Sequence, residues 1–374
     1  MFLFLLLFPA CTPLIFISMG SIIIKSIKSV SQATSLTSIF GLLIVAFTVS
    51  TFIWITNSGL YSHTEAGVSC TSFSNLTAIA PSTDTPEAPV DFRPPPGAEG
   101  PGNPYFAVCT IVKDEPDLRE FVYHYIRHYN VSNVYIYDHG STSSVEAIIK
   151  DYIATGRVEV IPWHDGVEER VQRLKARKKG SENAQVEAFS ACADRLQKPP
   201  AKHSWVGVFD GDEYLWLNPK WMALGGLEAF LKQYENAGAL GINWIYYGSS
   251  GKMHRAVEGV RHGYRSCMPD GQHHIKSILH IPNGVYAKLS HYFQLVEGKE
   301  AVSELHENIT DGGPFSPSYS VENISLHHYL LRSQEDFAKK SAKGAGDNSR
   351  KDWNFFHAYD EMMNETCDQF ATWE

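Results

Sequence analysis

Apolar and polar positions divide the chain into three stretches of different character. Residues 39–55 (IFGLLIVAFTVSTFIWI) carry no charge, and with residues 36–38 they are long enough to span a bilayer. A transmembrane signal anchor is therefore expected at 36–56. Lys25 and Lys28 precede it and no charged residue follows until Glu65. The positive-inside rule then puts the body of the chain on the lumenal side. Residues 1–24 are apolar too, broken by Pro9 and Pro13, and read as a leader or an extra span. Either way Lys25 and Lys28 stay cytosolic. Residues 57–104 turn polar, rich in Ser, Thr and Pro, and end in PPPG (94–97) and PGNP (101–104). Such a composition buries no core and predicts an extended stem.

From residue 105 the pattern is that of a folded domain, expected to run over 105–374. Residues 105–112 (YFAVCTIV) read as a buried strand, and Pro116 among acids marks a helix start. Leu118, Phe121, Val122, Tyr125 and Ile126 repeat at helical spacing through Tyr129. A strand at 134–137, a helix at 145–153 and a strand at 158–161 follow. This alternation predicts an α/β fold with a mostly parallel central sheet. Residues 168–198 read as helical, with a basic run from Arg170 to Lys179 on a solvated face. Further strands are expected from Trp205, at 214–217, 239–247 and 275–279, and from Ile324, with a last helix at 333–340.

Charge narrows the class. A net charge of −9 and a pI near 6.0 argue against a nucleic-acid binder, which shows a basic face. Five N-x-S/T tripeptides, beginning at Asn75, Asn130, Asn308, Asn323 and Asn364, agree with a lumenal body. Cys70, Cys109, Cys192, Cys267 and Cys367 allow up to two bridges, and the spacing does not say which.

The candidate chemistry gathers where strands end. WVGVF (205–209) runs straight into Asp210-Gly211-Asp212-Glu213. Carboxylates at a buried strand end are costly without a partner, and open α/β sheets bind ligands at that edge. The D-x-D spacing points to Asp210 and Asp212 holding a divalent metal, Mn²⁺, that bridges a diphosphate. The competing reading is an acidic turn between two hairpin strands. Lys113 and Glu115 end the first strand where a base or ribose would lie, or simply start a helix. Asp138 ends the second strand, as a ribose acceptor or a turn cap. Gly248-Ser249-Ser250-Gly251 is an acceptor-side loop or a plain turn, and His328 is a third metal ligand or a structural histidine.

In order, Val112-Lys113-Asp114-Glu115, Glu120-Phe121 with His124-Tyr125, Val134-Tyr135-Ile136-Tyr137-Asp138 and Phe209-Asp210-Gly211-Asp212-Glu213 resemble glycosyltransferase family 92. Trp244 with Gly248-Ser249-Ser250-Gly251, Lys276-Ser277-Ile278, and His328-Tyr329 with Ser333, Phe337, Lys340 and Gly344 extend the resemblance to about residue 346. The resemblance implies a GT-A nucleotide-sugar-binding fold and a single-pass type II Golgi membrane enzyme. It also implies Mn²⁺ and a UDP-sugar donor, often UDP-galactose, with a glycan acceptor and an inverted, β-linked product. It places Asp210 and Asp212 on metal and diphosphate, His328 as a third ligand, and Glu115 and Asp138 toward the nucleoside. Lys-Asp-Glu stands where the family more often has Lys-Asn-Glu, His139 stands where Asn is common, and residues 258–267 match poorly. Inversion needs a base near the acceptor hydroxyl; Glu258, Asp270 and Glu297 are the candidates. The rival readings are a membrane-tethered lectin that kept the fold without turnover, and a glycosidase using paired carboxylates.

Overall fold

The computed structural model describes residues 90–164, 183–270, 273–309, 313–344, 351–370 and 373. All fall within Ser82–Glu374, the second of two units into which the chain divides. The expected leader, the 36–56 anchor, residues 57–89 of the stem and the basic run from Arg170 to Lys179 lie outside the described residues. Among the described residues no helix is long and apolar enough to cross a membrane.

The first half is the expected alternation. β1 (Asn103–Val112) leads to α1 (Leu118–Tyr129), then β2 (Val131–Asp138), two short helices (Val145–Ile148 and Lys150–Ala154) and β3 (Val158–Pro162). Next come α2 (Ala184–Leu196) and β4 (Trp205–Val208). β1 pairs in parallel with β2 on one side and with β4 on the other, and β3 extends the β2 side. The chain therefore reverses its direction of travel across the sheet between β1 and β4. That is a topological switch point, where the loops beyond the strand ends diverge and leave a crevice.

The second half is mixed. β5 (Glu213–Leu217) is followed by β6 (Ala239–Tyr247), β7 (Ser266–Met268), β8 (Ile275–His280), β9 (Gly284–Leu289) and β10 (Tyr292–Leu295). Then follow β11 (Ala301–Ser303), β12 (Asn308–Ile309), β13 (Ile324–His328), α3 (Gln334–Lys343), α4 (Trp353–Met362) and β14 (Glu365–Thr366). β8 inserts antiparallel between β4 and β6. β6, buried along its whole length, also pairs in parallel with β11 and β13 and antiparallel with β7. β13 pairs antiparallel with β5, so the strand after the acids returns beside His328.

Strand alternation sorts the core into two faces. Phe106, Val108 and Val112 of β1 pack with Phe121 and Tyr125 of α1, while Ala107 and Cys109 pack with Phe189 and Cys192 of α2. Two disulfides, Cys109–Cys192 and Cys267–Cys367, supply the pairing that the spacing left open. The first ties β1 to α2 and the second ties β7 to the segment after β14. Local signals set the helix ends. Asn130 closes α1 at a φ of 47°, a left-handed position that Asn tolerates. Asn183, Ser333 and Asp352 cap α2, α3 and α4 through their side chains. Packing also begins ahead of Tyr105: Ala98 is buried and the Phe92 carbonyl accepts from Tyr152 Oη at 2.8 Å.

Candidate active site

At the switch point β1 and β4 run side by side, with Cys109 opposite Val208. Lys113-Asp114-Glu115 and Asp210-Gly211-Asp212 therefore leave the sheet together. Gly211 is required by close approach: a Cβ there would lie 2.8 Å from Glu115 Cγ.

Asp210 is held from two sides. Lys276 of β8, its side chain wholly buried, brings Nζ within 2.8 Å of Asp210 Oδ2 and 3.4 Å of Glu213 Oε1. Gln185 of α2 donates to Asp210 Oδ1. Glu213 in turn accepts the Asp210 backbone N–H at 2.8 Å. Burial, reinforced by the two aspartates, pushes the Glu213 carboxyl well above its usual range despite Lys276. Burial works against the Lys276 ammonium, but Asp210 and Glu213 outweigh it and raise its pKa. Lys276 thus stays charged, with Asp210 as its counter-ion.

Asp212 is nearly buried, and Lys340 of α3 donates to its Oδ2 at 2.5 Å. Burial opposes the Asp212 charge, but Lys340 and Arg332 more than offset this and hold the carboxyl well below the usual carboxylate range. Glu115 and Asp117 both accept from Arg332 Nη1, at 2.7 and 2.6 Å. Arg255 donates to Asp117 as well. The expected nucleoside contact Glu115 is thus a strut between Gly211 and Arg332. Asp138, the other, accepts Ser141 N–H at 2.9 Å and ties down its own turn. Lys113 is exposed at the rim, and its carbonyl accepts from Lys343 Nζ at 2.5 Å.

His328 lies across from Asp212, with Nε2 3.8 Å from Oδ1 and Nδ1 buried without a hydrogen-bond partner among the described residues. Burial pushes the imidazole pKa well below its ordinary value, so the ring is neutral and able to ligate a metal. The 3.8 Å gap is too long for a hydrogen bond. Asp212 and His328 therefore fit a divalent ion. Asp210 does not fit as it stands, because Gln185 and Lys276 occupy both its oxygens. Among the described residues no three His, Cys, Asp or Glu side chains converge on one cation position.

The loop after β6 is latched. Ser249 donates Oγ–H and N–H to Asp360 of α4, both at 2.7 Å, and a Cβ on Gly248 would meet Asp360 Oδ1 at 2.8 Å. Ser250 takes a φ of 51° and accepts from the Arg265 and Ser266 amides at 2.7 and 2.9 Å, and Gly251 follows at a φ of 70°. Beside this loop, Ser250, Lys252, Glu258, His262 and Arg265 line a cavity of about 500 Å³. Burial raises the Glu258 pKa, but the Lys252 Nζ contact at 2.7 Å outweighs it and holds the carboxyl below its usual value.

The three candidate bases separate. Glu258 faces this cavity, and Asp270 is exposed after β7. Glu297 lies on an exposed turn after β10. A Cβ on Gly238 would lie 2.6 Å from Leu295, so that turn sits by the start of β6. Since β6 and β4 both run antiparallel to β8, the turn is at the opposite edge of the sheet from Asp210. Glu297 is therefore no part of this site.

Lys276, Lys340, Arg332 and Gln185 had no assigned role in the sequence reading. For Lys276 a signal was present, since one cation in the apolar run of β8 requires a buried counter-charge. For the others no local signal exists, because their partners lie 25 to 217 residues away.

Comparison with known proteins bears out the resemblance. Residues 105–259 match the family model of glycosyltransferase family 92. A glycosyltransferase family 92 protein of Ricinus communis is 26% identical over 215 residues, which cover 55% of this chain and 34% of that one. The matched segment thus spans about a third of that relative. Among solved structures, residues 1–349 of S. aureus TarS align over 47% of each chain with 16% identity and a TM-score of 0.29. The same fragment in complex with UDP gives 13% identity, 47% coverage of each chain and a TM-score of 0.26. Scores this low establish no shared fold.

Proposed function

We propose, starting from the family 92 match over residues 105–259, that this chain transfers a hexosyl group from a UDP-sugar to a hydroxyl of a glycan. The observation that carries the reading is the placement of Asp210 and Asp212 at the switch between β1 and β4, each fixed by an ammonium group. An edge that positions carboxylates and cations together suits a nucleotide diphosphate and the ion that accompanies it.

The transfer is an inverting displacement at the anomeric carbon. The acceptor oxygen bonds to that carbon as its bond to the phosphate oxygen breaks, the electron pair leaves with UDP, and a base takes the hydroxyl proton. Glu258 lines a cavity and is ionised, which suits it to that proton, and the latched 248–251 loop forms an acceptor wall beside it. A divalent ion held by Asp212 and His328 would act as a Lewis acid toward the departing diphosphate. The family resemblance points to galactose and a β-linkage. Two disulfides support an oxidising compartment, in keeping with a Golgi-lumenal domain behind a single amino-terminal anchor.

The test is nucleotide release by the full-length chain, purified in detergent and offered a panel of UDP- and GDP-sugars with Mn²⁺ or with chelator. Chelator-sensitive UDP release from one donor is the expected result. Asp212→Asn should lower it by at least about 100-fold, the scale of losing one transition-state charge contact. No release from any donor, with the nucleotide sugar bound but not turned over, would overturn donor hydrolysis and favour the lectin reading or a strictly acceptor-dependent enzyme.

A further inference from the structure

The last turn of α3 crosses the mouth of the crevice. Lys340 and Lys343 stand three positions apart, so their side chains share one face of the helix. Lys340 Nζ reaches Asp212 Oδ2 at 2.5 Å and the Leu330 carbonyl at 3.3 Å. Lys343 Nζ reaches the Lys113 carbonyl, just beyond β1, at 2.5 Å. One helical turn thus sets a cation on each lip of the switch point. The two lips are the ends of β1 and β4, where Lys113 and Asp212 emerge.

Lys343 hydrogen-bonds a neutral carbonyl, whereas an ammonium has three donors and a full charge to satisfy. Around it lie the charges of Glu115, Lys340, Asp212 and Arg332. Arg332 is buried, uses Nη1 on Glu115 and Asp117, and leaves Nε and Nη2 without a hydrogen-bond acceptor among the described residues. Asp114 also feels the Lys343 charge, so acids and cations interleave here, and the remaining ammonium donors lie at the crevice edge. Asp212, the one carboxylate hydrogen-bonded to Lys340 among the described residues, is also the residue a divalent ion would engage.

We propose that Lys340 and Lys343 form an anion seat for the diphosphate of a nucleoside-diphosphate ligand, so that the chain carries its own counter-charge for the leaving group. The seat rests on the donor reading given above and assigns part of that donor to α3. The ammonium groups donate to non-bridging phosphate oxygens, and Lys340 exchanges its Asp212 contact for phosphate when the ligand arrives. The diphosphate then has two cations that do not depend on metal supply.

The experiment is calorimetric titration of the full-length chain with UDP and with uridine, in chelator and again in Mn²⁺. Wild-type protein binds UDP in chelator. Lys343→Gln weakens UDP about 10-fold and Lys340→Gln/Lys343→Gln about 100-fold, with uridine affinity unchanged, one charged contact corresponding to about a factor of ten. Lys339→Gln is the control. Lys339 pairs with Glu335 at 2.6 Å and is mostly exposed; its loss leaves UDP affinity intact. Thermal unfolding of each variant confirms the fold, and Lys343→Gln keeps the test decisive if the double variant does not fold.

UDP binding in Mn²⁺ but not in chelator overturns the seat and leaves the donor reading standing. So does an equal loss of UDP affinity in Lys339→Gln, which would reduce the effect to net charge. Absence of UDP binding under both conditions overturns the donor reading itself.

Discussion

Lys276 Nζ lies 2.8 Å from Asp210 Oδ2 with the lysine side chain wholly inaccessible to water. The ammonium also faces Glu213 at 3.4 Å, so one cation serves two acids of the D-x-D-E turn. Removing one partner of a buried pair costs more than the pair contributes, because the other charge stays desolvated.

Lys276→Met should therefore destabilise the protein by about 3 kcal/mol. Urea unfolding at neutral pH measures this. Lys276→Met/Asp210→Asn should recover part of the loss, since the carboxylate left without its counter-ion is then neutral. An unchanged midpoint in the single variant would show that the pair is not formed.

Gly211→Ala brings a Cβ to 2.8 Å from Glu115 Cγ, and Glu115 cannot swing away freely because Arg332 holds it at 2.7 Å. The expected cost is about 1–3 kcal/mol. Combining Gly211→Ala with Glu115→Ala should cost less than the sum of the two, which a double-mutant cycle by urea unfolding reads directly. Strict additivity would mean that the clash is absorbed elsewhere.

His128 Nε2 accepts from Arg261 Nη1 at 2.9 Å, which requires a neutral ring. Burial, then the charge of Arg261, lowers the His128 pKa to about 3. His124 is displaced in the same direction by burial. Unfolding lets both rings bind protons at an ordinary pKa near 6.5. Between about pH 6.5 and 3 the unfolded state thus holds more protons, so stability rises with pH there and is lost on acidification. The contribution is complete above about pH 6.5. His128→Gln keeps an acceptor for Arg261 and removes one titration. Its urea midpoint should fall less steeply than wild type between pH 7 and pH 5; parallel slopes would refute the assignment.

Cys267 and Cys367 close a loop of 100 residues. Replacing both by Ala should cost about 4 kcal/mol, from the chain entropy returned to the unfolded state. Differential scanning calorimetry checks the loss. A melting temperature within a degree of wild type would show that the bridge adds no constraint.

Much of this architecture was legible in the sequence. The run of β1, α1, β2, β3 and β4 follows from apolar period and turn residues, because each element is decided by its own neighbours. The acids at 210 and 212 announced themselves by interrupting a buried strand. The antiparallel insertion of β8 between β4 and β6 was not legible, since β8 reads like any apolar strand and its neighbours are set by tertiary packing. The same holds for Asp360, which sits in an aromatic-rich helix and latches a loop 111 positions earlier. Glu297 misled for the complementary reason. Acidity alone marked it, and the strand directions that take it to the far edge do not appear in its local sequence.

The Asp360–Ser249 latch has a bearing on how the molecule is made. The loop leaves the ribosome 111 residues ahead of the side chain that fastens it, and Cys267 waits 100 residues for its partner. The parallel half of the sheet can form while the 248–251 loop is still slack. A nascent chain that has yet to reach Asp360 and Cys367 would hold the Asp210–Glu213 turn without a fastened 248–251 loop, so the sheet edge is finished from its first strands to its later ones rather than all at once.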